Sequence, residues 1–118
     1  MAITYRIARA SGVVLVRVHG FITDDELLAH STRLEQDLEF SSSHWQLYDL
    51  RDANLDAVSA PCVETLAGSK EFASGARTAL VAASESAEEL ARVLQTHTGG
   101  GVRVFRAIGH ALTWLELE

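Results

Sequence analysis

Apolar and polar positions along this chain run first with a period of two and then with a helical period. Ile3-Thr-Tyr-Arg-Ile7 alternates as a strand with one wet face, and Val13-Val-Leu-Val-Arg-Val18 reads as a more deeply buried strand. Ser11-Gly12 is too short for a crossover, which makes the two antiparallel neighbours, and Gly20 is expected to close the second. Thr23-Asp-Asp-Glu26 has the form of a capping box, with Asp24 and Asp25 favoured by the helix dipole. Leu27, Ser31, Leu34 and Leu38 then share one helical face, predicting a helix over about residues 24–38.

Trp45–Leu50 follows as a strand, then a polar loop over Asp52–Val58. Ser59 is the expected cap of a second helix, with Pro61 tolerated in its first turn and Val63, Leu66 and Ala67 facing inward. Gly75 ends that region, and Arg77–Ala83 reads as a fully buried strand. Ser86-Ala-Glu-Glu89 repeats the capping-box pattern ahead of Leu90, Val93, Leu94 and His97. Gly99-Gly-Gly101 stops that helix as a cap and turn, since a phosphate-binding loop would follow a strand and open a helix. Val102–Phe105 is the last strand, and Ile108, Ala111, Leu112 and Leu115 mark a terminal helix. The order predicts an α/β domain over residues 1–118, with a mostly parallel five-stranded sheet, an antiparallel first pair and about four helices.

Composition narrows the possible partners. A net charge of −6 argues against nucleic acid and against anionic membrane surfaces, both of which call for a basic face. The apolar share of 47% is that of a chain that folds. Cys62 stands alone, so an intrachain disulfide and a cysteine-cluster metal site are excluded. No signal-peptide core and no membrane-spanning run is expected, which favours a cytoplasmic location without membrane insertion.

Several stretches carry a resemblance through their order and spacing. They are Val18-His-Gly20 with Ile22-Thr23, Asp37-Leu-Glu-Phe40, Tyr48-Asp-Leu-Arg-Asp52, Arg77–Ala83, Val104-Phe-Arg106 and Ala111-Leu-Thr-Trp-Leu115. In this the chain resembles the STAS/SpoIIAA-like superfamily, and more narrowly the small bacterial SpoIIAA-like or STAS/SEC14-like proteins. The resemblance implies the fold more firmly than an activity. It also implies a phosphorylatable Asp-Ser/Thr-Ser/Thr-Gly motif after the central strand. Residues 52–59 carry none, and Ser59 reads as a helix cap.

Three sets of residues are candidates for chemistry. Asp24, Asp25, Asp49, Asp52 and Asp56 stand at strand ends, where hard cations such as magnesium find oxygen ligands. A receiver domain would place acids there too, but Arg106 stands where its lysine belongs. The structural reading of these acids, as dipole partners and ion pairs, carries more weight. His19, His30, His44, His97 and His110 show no ligand spacing and read as surface or boundary residues. Cys62 lies in the first turn of a helix, where a dipole lowers a thiol pKa, but it reads better as a small buried filler.

The expected function is a non-catalytic binding or protein-interaction module without metal or cofactor, with a homodimer as candidate assembly. Its working surface would be Thr23, Asp24, Asp25, Asp49, Arg51, Asp52, Ser84 and Ser86, with Arg51 meeting an acidic partner group. The alternative is a carrier or sensor of a small apolar molecule, with Trp45, Tyr48 and Phe105 near the pocket. A magnesium-dependent enzyme built on Asp24, Asp49 and Asp52 stands third.

Overall fold

The computed structural model describes residues 2–72 and 75–117. Strand β1 (Ile3–Ala8) turns through Gly12 into β2 (Val13–Phe21), and the two pair antiparallel. Helix α1 (Asp24–Gln36), β3 (Trp45–Asn54), α2 (Ala60–Ala67) and a single 3-10 turn (Lys70–Phe72) follow. The chain continues as β4 (Thr78–Val81), α3 (Glu85–His97), β5 (Val102–Phe105) and α4 (Ile108–Trp114). From β2 onward all pairings are parallel, and the sheet order is β1-β2-β3-β4-β5.

Sequential order has a consequence for the layers. Each crossover advances one strand in the same direction, so the right-handed rule stacks α1, α2 and α3 on one face. The core divides accordingly. Val14, Val16, Val18, Tyr48, Leu50 and Leu80 pack beneath those three helices. On the opposite face Val13, Leu47, Ala79 and Val81 pack with Ala111 and Leu115 of α4.

Several boundaries differ from the sequence reading. β2 runs past Gly20 to Phe21, and β3 runs past Leu50 through Asn54, because His19, Gly20 and Phe21 pair with Asp52, Ala53 and Asn54. Partner strands thus extend a segment whose polarity reads as loop. The first helix ends at Gln36, and extended Asp37 turns Leu38 off the apolar face into full exposure. Helix α3 starts earlier than its capping-box pattern suggests: Ser84, not Ser86, is the cap, accepting from the Ala87 N–H at 3.2 Å. The glycine run after α3 has a steric reason. Gly99 and Gly100 have positive φ, and a Cβ on Gly101 would lie 2.6 Å from the Gly75 carbonyl oxygen.

Candidate functional site

The strand-end edge is a network of internal pairs. Thr23 and Glu26 complete the capping box at the start of α1. Asp24 accepts from the Ser59 N–H at 2.8 Å and the Ser59 hydroxyl at 2.7 Å, joining the first turns of α1 and α2. These bonds hold its carboxyl below the usual range. Asp25 is exposed in the first turn of α1. Arg51 donates from Nε and Nη2 to Asp49, each at 2.9 Å, and this fork keeps the Asp49 carboxyl low. Asp52 pairs with Arg17 at 3.3 Å, and the Ser84 and Ser86 hydroxyls stand 3.5 Å apart. Arg106, at the end of β5, pairs with Glu88 at 2.9 Å.

Most of the predicted residues are therefore occupied within the chain: Asp49 with Arg51, Ser84 with Ser86, Asp24 with Ser59, Asp52 with Arg17 and Thr23 with Glu26. Arg51, expected to meet a partner's acid, is held by Asp49. Among the described residues no group of three His, Cys, Asp or Glu side chains could hold a metal ion. Asp24, Asp49 and Asp52 each hold a different partner. Cys62 is buried and its thiol donates to the Asp24 carbonyl at 3.7 Å. Burial and the Asp24 carboxylate push that thiol up to about 11, opposite to the effect of a dipole.

The predicted aromatic pocket does not form, because its members lie on opposite faces of the sheet. Tyr48 faces α1–α3, whereas Trp45 and Phe105 pack with the α4 layer. Strand periodicity separates Trp45 from Tyr48, which stand an odd number of residues apart. On the α4 face Phe105 meets Trp114 at 5.7 Å, and the Arg77 guanidinium lies over both Trp45 and Trp114.

The face beneath α1–α3 holds something the sequence reading missed. A partly open cavity of about 60 Å³ lies between those helices and the sheet. Most of its wall is aliphatic, but His30, Tyr48 and Glu71 also line it. Of the lining residues only Leu66 on α2 and Leu90 on α3 are not fully buried, which places the mouth between those helices.

The three polar residues form a chain. The Tyr48 hydroxyl donates to Glu71 Oε2, and His30 Nε2 lies 3.0 Å from the same hydroxyl. The Gln46 amide donates to the Glu71 carbonyl at 3.2 Å, fixing the 3-10 turn to β3. Glu71 is 3% exposed and His30 is 1% exposed, where an unpaired charge is costly. Burial pushes the Glu71 carboxyl up to about 7, against the pull of the Tyr48 and Ser31 hydroxyls. Burial, with Arg33 nearby, holds His30 down at about 4, so its ring is neutral. Glu71 Oε1, His30 Nδ1 and Ser31 Oγ are all buried without a well-aligned hydrogen-bond partner. Buried polar groups ordinarily have a protein or water partner, and two of these three belong to residues that line the cavity.

His30 is thus the most deeply placed histidine of a set read as surface or boundary. Its position was available in the helical register, since 27, 30, 31 and 34 share the buried face of α1. Glu71 carried no local signal.

No family model matches the chain, and no curated protein matches it. Among solved structures it is similar to an uncharacterized protein of the DUF3478 family from Shewanella loihica PV-4, whose crystal structure has a SpoIIAA-like fold. The two superpose with a TM-score of 0.66 over 97% of this chain and 94% of that one, at 24% identity. The fold is SpoIIAA-like. The antiparallel opening pair, the parallel strands and the four helices agree with the architecture expected from the order of motifs. The SpoIIAA-like scaffold speaks to architecture alone, so the case for a function rests on the site itself. Among the described residues no helix is long and apolar enough to cross a membrane.

Proposed function

We propose that this domain is a non-catalytic binding module whose site is the interior cavity, taking a small, largely apolar molecule with one polar group. The observation that carries this reading is Glu71, buried in the wall of an apolar cavity with no well-aligned partner for its Oε1. A ligand that hydrogen-bonds this oxygen would recover the desolvation cost that the cavity imposes. Size restricts the class: about 60 Å³ is far below the ~300–1,000 Å³ of pockets for drug-sized ligands. A long lipid chain is therefore not the occupant.

The protein-interaction reading, with a second copy or another protein on the strand-end edge, has the pairing of Arg51 against it. Arg51 would have to exchange Asp49 for a partner's carboxylate.

The test is an NMR titration of the native protein with n-propanol, following the methyl groups of Leu50, Leu80 and Leu94. Saturable shifts confined to these walls are expected, and Ala91→Leu, which fills the cavity from α3, should abolish them. Shifts that rise linearly without saturation, or that persist in the filled variant, would refute interior binding.

A further inference from the structure

We propose that the cavity selects a small primary amine, its ammonium group seated on Glu71 and its alkyl chain against Leu50, Leu80 and Leu94. This rests on the interior-binding reading and adds the chemical class of the head group.

The argument is an accounting of protons along the polar chain. Tyr48 has a single hydroxyl hydrogen, and it goes to Glu71 Oε2. The Tyr48 oxygen is then left to accept, so the partner at 3.0 Å, His30 Nε2, is the donor. A neutral ring with its proton on Nε2 has a bare lone pair on Nδ1, the atom without a partner. Glu71 Oε1, in the ionised carboxylate, is likewise an acceptor only. Glu71 Oε1, His30 Nδ1 and Gln46 Oε1 are thus acceptors, and the Ser31 hydroxyl, which draws the Glu71 carboxyl down, is the one donor beside them.

The charged surroundings point the same way. From α1, Glu71 meets neutral His30, the Ser31 hydroxyl and Glu35, whose carboxylate accepts the Glu71 N–H at 3.3 Å and is itself acidic. Arg33, also on α1, acts on His30. From β3 it meets the Tyr48 hydroxyl, and Lys70 in its own turn is exposed. Helices α2 and α3 present aliphatic wall. The charge that acts on Glu71 itself is the like charge of Glu35, and a primary ammonium would supply an opposite one with several donors. A carboxylic acid would add acceptors and like charge, and an alcohol would bring one donor and no charge.

Proton linkage separates the amine from the alcohol. Burial holds Glu71 near 7, so below that pH an ammonium has to displace a proton, and above it the carboxylate is ready. Amine affinity should rise roughly tenfold from pH 6 to pH 8, whereas n-propanol should show no comparable rise.

The experiment is a methyl NMR titration of the native protein with n-propylamine and with n-propanol at both pH values, repeated for Glu71→Gln. The proposal expects n-propylamine to bind about tenfold more tightly at pH 8 than at pH 6 and to lose this pH contrast in E71Q. Equal binding of the two probes at both pH values would overturn amine selection and leave the interior site standing. Failure of both probes to bind would overturn both. Should E71Q lose n-propanol as well, its cavity has collapsed, and the pH contrast in the native protein decides.

Discussion

Asp24 and Ser59, 35 residues apart in sequence, hold each other through two hydrogen bonds from the Ser59 N–H and hydroxyl to one carboxylate. The same Ser59 hydroxyl accepts from the Cys62 N–H as the cap of α2. One serine thus starts a helix and ties it to the start of α1. Ser59→Ala should destabilise the fold by about 1 kcal/mol or somewhat more, the usual cost of a lost cap with a severed tertiary link added. Asp24→Ala should lower the melting temperature, and the double variant should be less unstable than the sum of the singles. Because the Asp24 carboxyl titrates below its ordinary 3.8, its contribution is present at neutral pH and lost on strong acidification. Additive losses in thermal denaturation would show that the two residues act separately.

The buried polar chain sets two opposed pH dependences. Glu71 rises from 4.5 to about 7, so between those values the folded protein holds the proton more tightly. Stability from this group falls as pH rises through the window, by ~3 kcal/mol in all. His30 falls from 6.5 to about 4, so the unfolded chain holds that proton more tightly, and stability falls as pH drops through the window. Between pH 4.5 and 6.5 the two nearly cancel. Glu71→Gln should leave the His30 arm alone, giving stability that rises with pH, and His30→Gln should give the reverse. Urea denaturation at pH 4.5, 5.5 and 6.5 reads the slopes; parallel slopes in both variants would disprove the linkage.

Tyr48→Phe should cost more than its one oxygen suggests. It leaves Glu71 Oε2 without its donor and His30 Nε2 without its acceptor, each a buried loss of about 1–3 kcal/mol. The Tyr48 hydroxyl also holds the Glu71 carboxyl down, so the Glu71 pKa should climb further in Y48F, as carboxyl-carbon NMR would register. An unchanged Glu71 titration would mean that the hydroxyl does not reach the carboxylate in solution.

What could be read in the sequence was what depends on neighbours along the chain. Thr23-Asp-Asp-Glu26 caps α1 because all its parts lie within one turn. Gly99 and Gly100 stop α3 because the backbone there takes positive φ. The misplaced ends have a tertiary cause. β3 continues through Arg51–Asn54 only because β2 lies beside it, a pairing that polarity along the chain does not register. The aromatic trio failed on parity, since a separation of three along a strand puts Trp45 and Tyr48 on opposite faces. The cavity was half legible. His30 and Ser31 occupy inward positions in the α1 register, whereas Glu71 is brought to Tyr48 by a turn that leaves no periodic mark. Buried carboxylates are found by the fold around them and seldom by their own sequence.

Cys62 offers a simple kinetic check on the packing between α1 and α2. A thiol held at about 11 and buried should be almost wholly protonated at pH 8 and shielded from reagent. Iodoacetamide should label the native protein far more slowly than the urea-unfolded chain. Comparable rates would place the thiol at the surface and remove Cys62 from the core.

Arg77 closes the α4 face. Its guanidinium lies 4.8 Å from the ring centre of Trp45 and 5.1 Å from that of Trp114, and its Nη1 donates to the Trp114 carbonyl at 2.7 Å. The chain has two tryptophans, and both belong to this clamp, so intrinsic fluorescence reports on it directly. Arg77→Ala should shift the emission to the red as both indoles gain water, and it should destabilise the fold by about 1–2 kcal/mol, a half-exposed cation–π stack plus one hydrogen bond. Arg77→Lys should recover little, since an ammonium lacks the planar surface that lies against two rings. The cavity lies on the other side of the sheet, so n-propanol binding should survive both variants. An emission spectrum unchanged in R77A would mean that Trp45 and Trp114 hold together without the arginine.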